Sequence, residues 1–88
     1  MKQTQAEHLN QGMQIHGEII VVYMVVYHHQ GDTDDWDQPA GCFLTHAMAE
    51  TFRQEVGADW IKSKLALKLD NGSIYLLDSS LQKLNVSR

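Results

Sequence analysis

The densest chemistry in this chain runs through ten consecutive residues, His28-His29-Gln30-Gly31-Asp32-Thr33-Asp34-Asp35-Trp36-Asp37. Imidazoles suit zinc or nickel, and carboxylates suit hard ions such as calcium. The spacing fits neither. A calcium loop of the EF-hand kind alternates acids ahead of a glycine at its sharp turn. Asp32 and Asp34 fit that alternation, but Trp36 stands where the third acid belongs and Asp37 where the glycine belongs. The two histidines are adjacent, so on a strand they point to opposite faces and cannot share an ion. The expectation is therefore no metal and no cofactor. What remains is an acidic loop with a tryptophan in it. Packing onto a sheet is the commoner fate of such a residue, and presentation to a partner is the other. If exposed, the Trp36 ring face with Asp32, Asp34, Asp35 and Asp37 suits a cationic ligand or a basic protein surface. These five residues are the candidate binding site.

Three other constellations compete. Cys42 and His46 have the residue types of a nucleophile and its base, but Cys42 falls inside a strand pattern, where a free cysteine is ordinarily just buried. Lys62, Lys64 and Lys68 alternate along a strand with Trp60, and with Tyr75 and Leu77 they form a candidate dimer or sheet-face contact. Basic residues among aromatics also resemble single-stranded nucleic-acid platforms. Three lysines beside an acidic loop make a poor site for a polyanion, so nucleic acid is an unfavoured partner. A hydrolase-like enzyme using His28, His29 or His46 with the loop aspartates is the rival from another class. No GxGxxG, P-loop, HExxH, CxxC or GxSxG stands in the sequence, and the balance favours a non-enzymatic module.

The chain that must position these groups has 88 residues, 43% of them hydrophobic and 20% charged. That is one small domain, too apolar to read as disordered. The formal net charge is −4, and the four aspartates between residues 30 and 40 account for all of it. A single cysteine, Cys42, leaves no intrachain disulfide and points to a reducing compartment. The longest apolar run, Ile19 to Tyr27, is far short of the ~20 residues that span a bilayer. The first twelve residues are polar and lack the apolar core of a secretory signal. The expected location is the cytoplasm, with no membrane partner.

Residues 1–16 read as a tail or a short helix, with a capping box at Thr4 and Glu7 and helical spacing of Ala6, Leu9 and Met13. Residues 17–88 read as a single α+β domain. Ile19 to Tyr27 is β-branched and aromatic on both alternating faces, which predicts a central strand covered on both sides. Gln30 to Ala40 reads as a loop and Gly41 to Thr45 as a short strand. Met48, Ala49, Phe52 and Val56 fall on one stripe of a helix over 46–56, with Thr45 as N-cap and Gly57 as C′ residue. Trp60 to Asp70 alternates as a strand. Asn71-Gly72 predicts a two-residue hairpin turn that sets Lys68 opposite Tyr75 and Ala66 opposite Leu77. The tail beyond Ser79 reads as a short helix or edge segment.

These elements predict a two-layer α+β fold, a four-stranded mainly antiparallel sheet in the order 2-1-3-4 with one helix on one face. The other face would then lie bare and apolar, which implies a homodimer, or coverage by one of the termini. Val21 to Asp70 resembles small bacterial proteins of unknown function of the phage, plasmid or integron-cassette kind. The resemblance rests on the opening strand and acidic loop, on Gly41-Cys42-Phe43-Leu44-Thr45, on Ala49-Glu50 and on Leu67 to Asp70. It implies a β-β-α-β core and brings no catalytic or binding residues.

Overall fold

Apolar residues on both faces make β1 (Gly17–Gln30) the axis of the molecule. The computed structural model describes residues 16–87; the short helix expected near the N-terminus lies outside them. After β1 come β2 (Asp35–Phe43), α1 (His46–Val56), β3 (Trp60–Leu69), β4 (Ile74–Leu76) and β5 (Lys83–Leu84). All neighbouring strands pair antiparallel, in the order β2-β1-β3-β4-β5. No helix among the described residues is long and apolar enough to cross a membrane.

This corrects the expected two-layer fold of four strands. A fifth strand is present, and the sheet curls until the tail meets its opposite edge. Ser87 bridges Phe43 in parallel, and its N–H donates to the Cys42 carbonyl at 2.8 Å. The result is a nearly closed, barrel-like sheet. Its concave face buries Val22, Cys42, Ala66 and Ile74, with Ile20, Leu44, Leu84 and Val86 packed against them. Leu84 and Val86, isolated apolar residues in a polar tail, supply one wall. One face of β1 is thus covered by the sheet's own curvature, without a second layer.

The other face of β1 is covered along one half only. There α1 packs Ala49, Met48 and Phe52 onto Val25, Phe43, Tyr23 and Tyr27. The helix has the expected ends. Thr45 Oγ1 accepts from the Met48 N–H, and Gly57, at φ 70°, closes the C-terminus with its N–H on the Arg53 carbonyl. The half of this face beyond the helix carries Ile19, Val21, Leu65 and Leu77, all exposed.

The second correction concerns the β3–β4 turn. Lys68 pairs with Ile74, Leu67 with Tyr75 and Ala66 with Leu76, one residue away from the register that a two-residue Asn-Gly turn sets. The loop takes in a third residue. The Leu69 N–H donates to the Ser73 carbonyl, and Asp70, Asn71 and Gly72 lie between, with Gly72 at φ 91°. A glycine in the left-handed region after a turn is the three-residue hairpin solution. Slipping by one residue exchanges the faces of the whole return strand. Ile74 enters the core, while Tyr75 and Leu77 leave the lysine face and join Leu65 and Leu67 on the other side.

Candidate functional site

The acidic segment is less of a loop than its composition implies. Residues 35–40 belong to β2, and only four residues separate the strands. The Gly31 N–H donates to the Asp34 carbonyl at 2.9 Å, which leaves Asp32 and Thr33 as the turn. A Cβ on Gly31 would lie 2.6 Å from that carbonyl oxygen, so the turn needs glycine. Asp32 and Asp34 are exposed at the tip.

A β-bulge sorts the remaining residues of the segment. Val25 pairs with Gly41 but Val26 pairs with Pro39, so Ala40 is an extra residue in β2. A bulge also tolerates the missing N–H of a proline. The inserted residue reverses the alternation of β2. Cys42, even-numbered, faces the barrel interior; past the bulge the odd-numbered Asp35 and Asp37 share that side of the sheet, while Trp36 faces the other.

On the Asp37 side, three strands converge. His28 Nδ1 is 2.8 Å from Asp37 Oδ1, and His28 Nε2 is 3.5 Å from Asp35 Oδ2. Lys62 from β3 donates to Asp37 Oδ2. The Trp60 ring tilts against the His28 ring at 4.3 Å between centroids, and Lys62 Nζ sits 5.7 Å from the centre of the Trp60 ring. The Asp59 carboxylate accepts from the His28 backbone N–H at 2.7 Å. The hydrogen bond with Asp37 raises the His28 pKa above its ordinary value, and Asp35 adds to this. Asp37 is lowered below the usual carboxylate range, by His28 first and Lys62 second. Carboxylates face both ring nitrogens, an arrangement that favours an imidazolium over a free base.

On the opposite side of the same strands, Trp36 lies flat on His29, with centroids 4.1 Å apart and planes 18° from parallel. His29 Nε2 is 2.9 Å from Gln38 Oε1. Trp36 remains 54% exposed. The ring is thus stacked on an imidazole on one face and exposed rather than tucked into the core.

The structure therefore divides the five candidate residues. Asp32 and Asp34 stand at the tip, Asp35 and Asp37 on one side and Trp36 on the other. The second candidate set, Trp60, Lys62, Lys64, Lys68, Tyr75 and Leu77, is split by the β4 register. Lys62 is paired with Asp37, and Tyr75 and Leu77 lie across the sheet from the lysines, so the basic-aromatic platform does not assemble. Cys42 and His46 do not meet either. Cys42 is buried in the barrel interior, where desolvation pushes its thiol pKa up, and the His46 ring packs edge-on against Tyr23 on the helix side. His28, Lys62 and Asp59 are site residues that composition alone did not single out together. Pro39 was the available signal, because a proline in a strand marks a bulge, and a bulge re-aims the side chains beyond it. Among the described residues no group of three or more His, Cys, Asp or Glu side chains is arranged to hold a metal ion.

No family model, no curated protein and no solved structure matches this chain.

Proposed function

We propose that the chain is a small non-catalytic binding module that uses the end of the β1–β2 hairpin to engage a cationic group, on a protein or on a small molecule. The observation that carries this reading is Trp36, an exposed indole held flat by His29 two residues along the strand from the acidic turn. A ring face attracts a cation through its quadrupole, and the contact strengthens as the pair sheds water. Asp32, Asp34 and Asp35 supply the long-range attraction. The buttress under the ring limits the entropy lost when a ligand settles on it. Beneath the tip, the His28–Asp37–Lys62 group ties β1, β2 and β3 together and positions the hairpin.

The test uses the two indole N–H signals of a ¹⁵N-labelled sample, assigned with Trp36→Phe. A Lys/Arg-rich peptide is expected to shift the Trp36 signal in a saturable way and to leave Trp60 nearly still. A Glu-rich peptide of the same length is expected to do nothing, and Asp34→Asn/Asp35→Asn to weaken the response. A Trp36 signal that stays put at millimolar peptide and millimolar tetramethylammonium overturns the reading.

A further inference from the structure

The end of β1 remote from the acidic hairpin is built differently. β3 pairs with β1 from Gly17 to Val26, whereas β2 reaches only from Tyr23 to Gln30. From Gly17 to Val22 the second edge of β1 therefore has no partner among the described residues. The hydrogen-bond parity shows which groups face it. The His16 carbonyl accepts from Asp70, and Leu65 and Leu69 bond toward β4, so even-numbered residues of β1 and β3 bond each other. Alternation then turns the N–H and C=O of Gly17, Ile19 and Val21 outward.

The side chains at this edge are apolar as well. Ile19 is 66% exposed and Val21 42%, and Val21 sits opposite Leu65, itself 57% exposed. Leu77, 37% exposed, adjoins Leu65 through its N–H. These four side chains form one exposed apolar strip running from β1 across β3 to the end of β4. Natural edge strands are usually guarded by lysine, proline or a bulge. The outward-facing Gly17, Ile19 and Val21 carry none of these, and Glu18 points to the opposite face, across from Lys68.

We propose that Gly17–Val22 is the seam of a symmetric homodimer in which two copies of β1 pair antiparallel, edge to edge. A two-fold axis through Ile20 sets Ile19 of one copy against Val21 of the other, matching outward donors to outward acceptors and β-branched side chains to each other. A second copy is the occupant that fits, because the edge is its own complement under that axis. At the seam only Ile19 and Val21 of the two copies meet directly, while Leu65 on β3 and Leu77 at the end of β4 continue the apolar strip across the joined sheet. The expected assembly is one continuous sheet running through both copies.

The experiment is sedimentation velocity on the full chain at tens of micromolar, beside the double variant Ile19→Lys/Val21→Lys. Both positions are exposed, so each sample is expected to keep the same far-UV circular dichroism. Wild type is expected at twice the 10.0 kDa chain mass and the variant at the chain mass. Amide hydrogen exchange supplies the second reading, with protection at Ile19 and Val21 that falls as the sample is diluted. A monomeric wild type overturns the proposal, and so does a variant that remains folded and dimeric. Protection at Ile19 and Val21 that does not change with concentration also overturns it, since the edge would then be covered from within the chain.

Discussion

Val21 and Val22 are neighbours in sequence on opposite faces of β1, and replacing each with alanine measures the face assignment on which the rest depends. Val22 is 0% exposed, within the barrel interior beside Cys42, Ala66 and Ile74. Val22→Ala removes two methyl groups from full burial, about 1.6 kcal/mol at ~0.8 kcal/mol per buried carbon. A cavity of ~30 Å³ left open adds about 0.7 kcal/mol at ~24 cal/mol per Å³. The sum is about 2.3 kcal/mol, which lowers Tm by roughly 10–18 °C for a domain of this size. Val21 is already 42% exposed, so the same deletion costs little more than half the transfer term, about 0.9 kcal/mol, with no cavity term added. Urea unfolding followed by circular dichroism, with a shared m-value, gives both numbers. Equal costs, or a larger cost at Val21, would refute the assignment, because a one-residue slip of β1 exchanges these two positions. The two variants also separate folding from pairing. The cost of Val21→Ala is expected to rise with protein concentration, and that of Val22→Ala to be constant.

Two further outcomes concern the hairpin base and the helix end. His28 is held above its ordinary pKa of roughly 6.5 by the hydrogen bond with Asp37. Its contribution to stability is therefore complete below that value and is lost as pH rises through the higher folded pKa. Asp37, lowered by His28 and Lys62, contributes above the ordinary aspartate range and loses this as pH falls through its depressed value. An NMR titration of the His28 ring is expected to show a midpoint above that of a free histidine, moving down in Asp37→Asn; a midpoint at or below roughly 6.5 contradicts the ion-pair geometry. Gly57→Ala places a Cβ where nothing lies within 4 Å, at φ 70°. Its cost is therefore conformational alone, about 1 kcal/mol by thermal unfolding, and a neutral result would mean that the αL cap is not held.

Much of the fold could be read where local chemistry and tertiary structure agree. Ile19 to Tyr27 is apolar on both alternating faces and is the long strand that joins β2 to β3, though it is flanked on both edges only from Tyr23 to Val26 and is not covered on both faces at Ile19 and Val21. The helix over 46–56 announces itself by Thr45, Gly57 and a stripe of Ala49 and Phe52, all local signals. The misreadings arose where one residue more or less decides a face. Asn71-Gly72 signals a two-residue turn, yet Gly72 alone takes the left-handed position and Asp70 is drawn into the loop, which reverses Ile74 and Tyr75. Ala40 reverses β2 in the same way, so aspartates that look like a solvated loop become partners of His28 and Lys62. The fifth strand was hidden because Lys83 and Leu84 carry almost no strand pattern. They are fixed by pairing with β4 and by the closure of Ser87 onto Phe43, which no local propensity encodes. Of the candidate site, residue identities were visible in the composition, but the exposure of Trp36 depended on the stacking of His29.

The staggered pairing of β1 has a dynamic consequence. Only Tyr23 to Val26 is flanked by strands on both edges, and Val25 and Val26, with Val22 alongside, are the largest fully buried side chains. The molecule amounts to two hairpin-like halves spliced over four residues. Local opening free energies follow the number of neighbours held, so the splice exchanges its amides last and the two ends breathe separately. Hydrogen exchange is therefore expected to rank the amides of Tyr23 to Val26 slowest along β1, with faster exchange toward both Gly17 and Gln30.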